Sequence, residues 1–577
     1  MKCGLEIVEN VLAAELSEMG YATNLVKVSE LFRTIGGAFG ALPSRESEES
    51  AADERYRRYM DAGDALRRIV KRNDAALFPV LQHIADQREA LRGQGAPATT
   101  ADGLLSGCAW IINSLKTPEE VLLLRRVYGP RFICIAAHAP RDLRLDSLAT
   151  TIAQSRHRSR TEASKADAEE LIFRDERGAE TRPHGQNVAD AFPLADMLID
   201  ATETLLIQDS LERLLEIEFS HPFLTPTRDE YGMYMAWGAS LRSASLGRQV
   251  GAAIARPDGD VIALGVNEAA RAGGGQYWPG DSPDGRDFQN TSGLDTGTRL
   301  RSTLLGNTLE VLLGAGWTPP ATGQTVHSRA QLTADQDLRR RVASAQLQHL
   351  LDPDADETIR NLTRTLLIQN LIEFFREVHA EMSALADAAR RGVEVAGSTI
   401  FCTAFPCHEC ARVLVAAGIQ RVVFLEPYPK SLVQDLYRDS IVVDPPAHRN
   451  TAGESVCFET FVGVAPRRFS DFFFAPVPRK DRSGRISSWS KADAQPRMDI
   501  FGIPLGTSQL DAFIRNSEEK AVFGREAAAL LDLDANYRST LRENPWQPDW
   551  FKKEAQSGPR RSRKPTPAKR RSGRTRA

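Results

Sequence analysis

The chain has 577 residues, 42% of them hydrophobic and 26% charged, and a formal net charge of −3. That length exceeds what one hydrophobic core organises and predicts roughly two to four domains. The balance excludes a disordered chain, which carries fewer apolar residues, and a membrane-embedded one, which carries longer apolar runs. Met1 to Glu9 lacks the basic start, apolar stretch and small-residue cleavage site of a secretory signal, so the chain is expected in the cytoplasm with no membrane partner. The seven cysteines, Cys3, Cys108, Cys134, Cys402, Cys407, Cys410 and Cys457, include one closely spaced pair, and in a reducing compartment metal binding suits that pair better than a disulfide. Arg560 to Arg576 holds nine basic side chains and no acidic one; removing them from the net of −3 leaves a body of about −12. A body that acidic offers no general nucleic-acid surface, while local basic pockets for a nucleotide's phosphates remain compatible with it.

In chain order, Cys3 to Met19 has helical spacing and meets a stop at Gly20, and Ala22 to Val28 reads as a strand. Ala109 to Ile112 and Phe132 to Ala137 are short apolar runs that suit buried strands of a parallel sheet. Residues 1–216 are therefore expected to form an α/β domain. Within it, Ser44–Arg55 and Arg156–Gln186 are charge-rich and poor in large apolar residues, which predicts loops, exposed helix or a lid. Tyr231 to Ser245 is helical in spacing, and Gly247–Ala255 and Val261–Val266 read as strands of a hairpin joined by Pro257-Asp258-Gly259-Asp260. A second domain is expected over residues 217–548, with a mostly helical insertion at about 290–375. In it Ser398–Thr403 and Arg421–Leu425 are further strands, each following a helix. Residues 549–577, rich in Lys, Arg, Ser, Pro and Gly, are expected to be a disordered basic tail.

The sharpest signal is His379-Ala380-Glu381 followed by Pro406-Cys407-His408-Glu409-Cys410 after a strand, which matches the H-x-E…P-C-x-x-C signature of zinc deaminases. Two thiolates and an imidazole supply three positions of a tetrahedral Zn²⁺ and leave the fourth open for water, as a catalytic site requires. Cys407 and Cys410 share one face at the start of a helix whose N-terminus favours thiolates. Glu381, on another face from His379, need not be a ligand. Its carboxylate is placed to take a proton from water and deliver it to the ring nitrogen and then the leaving amine, while hydroxide attacks C4 of cytosine. The competing reading is a closed zinc knuckle with Cys402 or His408 as fourth ligand. Glu381 and Pro406 at their signature positions favour the catalytic one.

Beyond the signature, Leu241 to Ile254 resembles the opening of the deoxycytidylate deaminase fold, and Gly265-Val266-Asn267-Glu268 falls where that family places a substrate-contacting asparagine. With Gly273 to Trp278 and Glu426 to Ser431, the chain resembles the bacterial anti-phage dCTP deaminases, which join a nucleotide-kinase-like N-terminal domain to a deoxycytidylate deaminase domain. That resemblance implies an α/β chain with a parallel-sheet N-terminal domain and an α/β/α deaminase domain. It further implies a Zn²⁺ cofactor, conversion of dCTP or dCMP to the uracil nucleotide and ammonia, depletion of dCTP during phage infection, and a homo-oligomer. Asn267 would contact sugar or base, or else serve as a turn residue after a strand. Arg248 and Lys430 would meet phosphate oxygens, or else be solvated or structural charges. No G-x-x-x-x-G-K-[ST] occurs, so the chain as given is expected to lack kinase activity, with a start placed too late or an N-terminal domain kept for regulation or packing.

Two other functions fit parts of the sequence. One is a deaminase of RNA or single-stranded DNA, to which the basic tail would lend attraction, although Tyr277, Trp278 and Tyr428 are the only obvious stacking candidates. The other is a non-catalytic nucleotide sensor, against which the intact Glu381 argues. An RNA contact through residues 559–577 is expected to weaken steeply with salt.

Overall fold

The computed structural model describes residues 4–32, 51–94, 105, 107–182, 184–289, 295–315, 329–351, 371, 374–427, 431–445, 455–475, 477–480, 483–494, 496 and 529. The basic tail, Lys430, Tyr428, Cys3 and most of Ser44–Arg55 lie outside them.

The N-terminal region alternates helix and strand as its periodicity predicts. Helix α1 (Leu5–Glu18) ends before Gly20, which adopts φ 79°, and β1 (Ala22–Lys27) follows. Next come α2 (Ala52–Val70), α3 (Phe78–Gly93), β2 (Cys108–Asn113) and α4 (Pro118–Tyr128), the last started by a capping box between Thr117 and Glu120. Then follow β3 (Ile135–His138), α5 (Arg141–Ser155), α6 (Glu162–Thr181), β4 (Met197–Asp200) and α7 (Thr204–Glu218). β1 pairs in parallel with β2, and β3 with β4, but in two separate sheets. α1 underlies both: Leu12 packs on the cluster containing Ile135 and Ala137 and on the one containing Ala109 and Ile111.

The segment read as loop, exposed helix or lid is a packed helix over most of its length. α6 buries Ala168, Leu171 and Ile172 against Leu148 and Ile152 of α5 and Met60 of α2. Three apolar residues at i, i+3 and i+4 are enough for one buried stripe. The charges that suggested exposure are paired across the helices, Arg57 and Arg156 each reaching Asp167 at 2.9 Å and Arg174 reaching Asp64 at 2.7 Å.

The C-terminal region begins with α8 (Arg228–Ser240), capped by Thr227 and Glu230, and the antiparallel hairpin of β5 (Gly251–Ala255) and β6 (Val261–Val266). β7 (Glu268–Ala269) is followed by α9 (Thr296–Gly314) and α10 (Gln336–Leu351), whose Leu313 and Ala343 form a small core with Leu332 of the short helix Arg329–Ala334 between them, within the expected insertion. The remaining elements are β8 (Glu377–Val378), α11 (Ala380–Arg391), β9 (Thr399–Ala404), α12 (His408–Ala416), β10 (Arg421–Glu426), β11 (Ile441–Val443), β12 (Val456–Thr460) and β13 (Gly463–Val464). Six strands form one mixed sheet in the order β11-β12-β10-β9-β5-β6. Side chains alternate between its faces, as strand geometry requires. Ala252, Ile254, Ile400, Cys402, Val422 and Phe424 pack under α11 and α12, whereas Ala253, Phe401, Val423 and Leu425 meet Met233 and Ala236 of α8.

Two short pairings shape the molecule further. β13 joins β4 antiparallel, so the C-terminal region extends a sheet begun in the N-terminal one. β7 pairs with β8, which brings the segment after Asn267 beside the one before His379. α11 also lies directly on β6: a Cβ added at Gly265 would stand 2.0 Å from the Ala380 carbonyl oxygen and 2.4 Å from the Ala384 nitrogen. Both are backbone atoms of the helix carrying Glu381. Gly265→Ala is expected to destabilise the protein by about 1–3 kcal/mol and to loosen metal binding. Urea unfolding and zinc content measured on the purified variant test this, and wild-type values for both would contradict the contact.

Candidate active site

The site assembles where two helices start beside the end of β9. His379 is the N-cap of α11 and Cys407 the N-cap of α12, so the cysteine pair does lie at the start of a helix as the spacing suggested. As N-cap, Cys407 accepts the Cys410 N–H on its sulfur at 3.4 Å, which fixes the two thiols on one side of the first turn. Pro406 precedes it, and Ser431 donates its hydroxyl to the Pro406 carbonyl at 3.0 Å.

His379 Nδ1 lies 3.3 Å from both Cys407 Sγ and Cys410 Sγ, and the three ligand atoms all fall within 4.8 Å of one another. Tetrahedral zinc with Zn–S of about 2.3 Å and Zn–N of about 2.0 Å has ligand-to-ligand edges of roughly 3.5 Å. The donor set and spacing therefore fit Zn²⁺, with Nδ1 as the imidazole ligand. Neither Cys402 nor His408 joins the group among the described residues. Cys402 is wholly buried and burial pushes its thiol well above the ordinary range, as for an inert core thiol. His408 stands half-buried with its Nδ1 unpaired. The three donors thus leave a fourth coordination position.

Glu381, 4% exposed, stands beside the cluster on the first turn of α11, with Oε2 3.4 Å from Cys410 Sγ. Burial raises its carboxyl pKa, against the lowering effect of His379. Cys407 is pushed down to about 4, chiefly by the hydrogen bond from Cys410 and further by His379. The same sharing raises Cys410 well above the ordinary thiol range, with burial adding to it. Burial lowers His379, but Cys407 outweighs it and the imidazole rises to about 9. Without metal, the trio is a thiolate, an imidazolium and a thiol.

The segment proposed to contact substrate lies alongside. The Asn267 amide is committed to the backbone: Oδ1 accepts from Val250 N–H at 2.7 Å and Nδ2 donates to the Arg248 carbonyl at 2.6 Å. Its second N–H and remaining lone pair are what it has left for a ligand. Arg248 forms an ion pair with Glu426 at the end of β10, and Lys430 falls outside the described residues. Sequence reasoning missed Glu377. This half-buried residue, two before His379, accepts the Ser245 hydroxyl at 3.2 Å on Oε1 and keeps Oε2 buried without a partner. Its strand of two residues is too short to show periodicity. Glu268, 1% exposed, accepts the Ala244 and Ala269 N–H groups and holds the loop before β5.

Residues 226–426 match the family model described as the cytidine and deoxycytidylate deaminase zinc-binding region. The C-terminal region thus contains a segment similar to the zinc-binding region of cytidine and deoxycytidylate deaminases. The chain is 40% identical over 55 residues to the deoxycytidylate deaminase of Enterobacteria phage T2, covering 10% of this chain and 29% of that protein. It is 32% identical over 81 residues to ComE operon protein 2 of Bacillus subtilis, covering 12% and 43%. The chain therefore spans less than half the length of these relatives. A crystal structure of dCMP deaminase from the cyanophage S-TIM5, in complex with dCMP and dUMP, aligns at 15% identity and a TM-score of 0.21, covering 41% of this chain and 100% of that one. No helix among the described residues is long and apolar enough to cross a membrane.

Zinc uptake must expel the protons on His379 and Cys410, both present at neutral pH because their pKa values are raised. Affinity is expected to rise by more than about tenfold per pH unit from 6 to 8, with protons released on mixing, and to fall sharply in Cys410→Ser. Competition against a coloured chelator at three pH values measures it, and a flat profile would contradict the assigned ligands.

Proposed function

We propose that the chain hydrolyses the exocyclic amine of a deoxycytidine nucleotide, dCTP or dCMP, releasing ammonia and the uracil nucleotide, and so drains dCTP in defence against phage. The observation that carries the reading is the three-donor cluster with a buried carboxylate in contact with one of its sulfurs. His379, Cys407 and Cys410 hold the metal, and Glu381 is the catalytic acid and base. Zinc bound there supplies Lewis acidity that makes water a nucleophile near neutral pH. Glu381 takes the proton that water gives up, and its raised pKa lets it hold that proton more readily than an exposed carboxylate would. It delivers the proton to N3 as C4 gains the hydroxyl oxygen. Glu381 then takes the proton of the new C4 hydroxyl and passes it to the amino group, which leaves as ammonia as the C4–N bond breaks and the C4=O bond of the uracil ring forms. Protein walls around Glu381 exclude water and favour these transfers.

The relatives' names support deoxycytidylate as the substrate class. The choice of dCTP, the role in defence, the kinase-like character of residues 1–216, the homo-oligomer and the RNA contact of the tail rest on resemblance and composition. Residues 1–216, 217–548 and 549–577 remain the proposed division. The second reading, action on a cytosine in RNA or single-stranded DNA, has Trp278 in its favour, 54% exposed with the Arg242 guanidinium 3.8 Å from its ring centroid.

Ammonia release from dCTP, dCMP, CTP and cytidine by the zinc-loaded chain, beside Glu381→Ala, tests the proposal. Turnover of a deoxycytidine nucleotide is expected, falling by about 10²–10⁴-fold in the variant. Turnover of an oligonucleotide but of no free nucleotide would move the assignment to the second reading.

A further inference from the structure

The two small sheets of the N-terminal region each end on a bare strand edge, and α1 holds the two edges side by side. Among the described residues β2 pairs only with β1, and β3 only with β4. Leu12 of α1 packs in the cluster that holds Ala109 and Ile111 of β2 and also in the one that holds Ile135 and Ala137 of β3. One side chain belongs to both, so the slot between the strands is narrow, of the order of a single strand, which needs about 4.8 Å on each side.

Exposure marks the same slot. Every residue of β2 and β3 is half-buried, although both strands are mostly apolar. β4, with β3 on one edge and β13 on the other, buries Met197, Leu198 and Ile199 to 1% exposure or less. The faces of β2 are covered, by Leu16 of α1 on the Ala109 and Ile111 side and by Leu124 of α4 on the Trp110 and Ile112 side. What β2 and β3 lack, and β4 has, is a second neighbour. A strand laid between them would give their edge N–H and C=O groups partners and join two sheets into one.

The chain is itself led to this slot. Trp489 and Ala494 pack with Ala109 and Ile111, and Lys491 pairs with Glu15 and Glu18 at the end of α1. Ala529 packs instead with Trp110 and Ile112. Neighbouring residues of a strand point to opposite faces, so between residues 496 and 529 the chain passes from one face of β2 to the other. The slot is the direct way through. Four residues past Pro496 comes Ile500-Phe501-Gly502-Ile503, closed by Pro504. The run is as long as β3 and free of polar residues, the pattern of a strand covered on both faces. Trp489 shares its cluster with Tyr21, which precedes β1, so the segment reaches the slot at the end where β1 starts.

We propose that residues 499–503 enter the slot as a strand between β2 and β3, running parallel to β1 and β2, and weld the two N-terminal sheets into one. The segment that follows the deaminase-like region is then part of the N-terminal core, as β13 is on the far side of β4. Two experiments on the full chain test this. With p-benzoylphenylalanine in place of Phe501, irradiation is expected to cross-link position 501 to α1, β2, α4 or β3 of the same chain. Cross-links elsewhere, or between isotope-labelled and unlabelled copies, overturn the proposal. Hydrogen exchange at residues 108–113 and 135–138 is expected to be slow in the unaltered chain and about tenfold or more faster in Ile503→Asp, with protection restored by an excess of a synthetic peptide of residues 498–505. Fast exchange of both strands in the unaltered chain, or exchange that Ile503→Asp leaves unchanged, also overturns it, the latter because another strand would then hold the slot. Where Ile503→Asp fails to fold, the cross-link decides.

Discussion

Two sulfurs and an imidazole nitrogen held within bonding range of one ion are the constraint on which the rest of the C-terminal region depends. Neither helix that carries them achieves this alone. α11 must lie close enough on β6 that only glycine fits at 265, and α12 must start where β9 ends, so that the Cys407 sulfur caps it. The result aims two helix N-termini, with their positive dipole ends, at a cluster that must carry thiolate charge. The same arrangement buries Glu381 beside the cluster, where it holds a proton more readily than an exposed carboxylate does.

The two regions of the chain are fastened by a few specific contacts. Glu230 caps α8 through Thr227, accepts the Val464 N–H of β13 at 3.0 Å and receives Arg213 of α7 at 2.7 Å. One buried carboxylate thus joins a helix of the C-terminal region, a strand end and a helix of the N-terminal region. Farther along, Trp489 donates its indole N–H to the Phe219 carbonyl, and Lys491 meets Glu15, Glu18 and Glu212.

Much of the secondary structure was legible because it is local. The helix before Gly20, the Val261 strand and its hairpin turn, and the strands ending near Thr403 and Leu425 all follow from period and turn residues. The metal cluster was legible for the same reason: its residues come in two short groups with fixed spacing. α6 was misread because composition was weighed above spacing, and its charges turned out to be partners of charges on α2 and α5. The pairing of β13 with β4 and the orphaned Glu377 oxygen depend on contacts between residues far apart in the chain or on strands of two residues. Nothing periodic announces them. Asn267 shows a different limit, since sequence placed it correctly after a strand but could not tell that its amide would be spent on Val250 and Arg248.

The central claim is an open zinc site with two sulfur ligands and one imidazole, and X-ray absorption at the zinc edge on the purified chain tests it most directly. The account predicts one zinc per chain with two sulfur scatterers near 2.3 Å and two light atoms near 2.0–2.1 Å, one of them imidazole and the other displaceable by a small anion. Three or four sulfurs, or a shell unchanged by such an anion, would mean a closed structural site and contradict it.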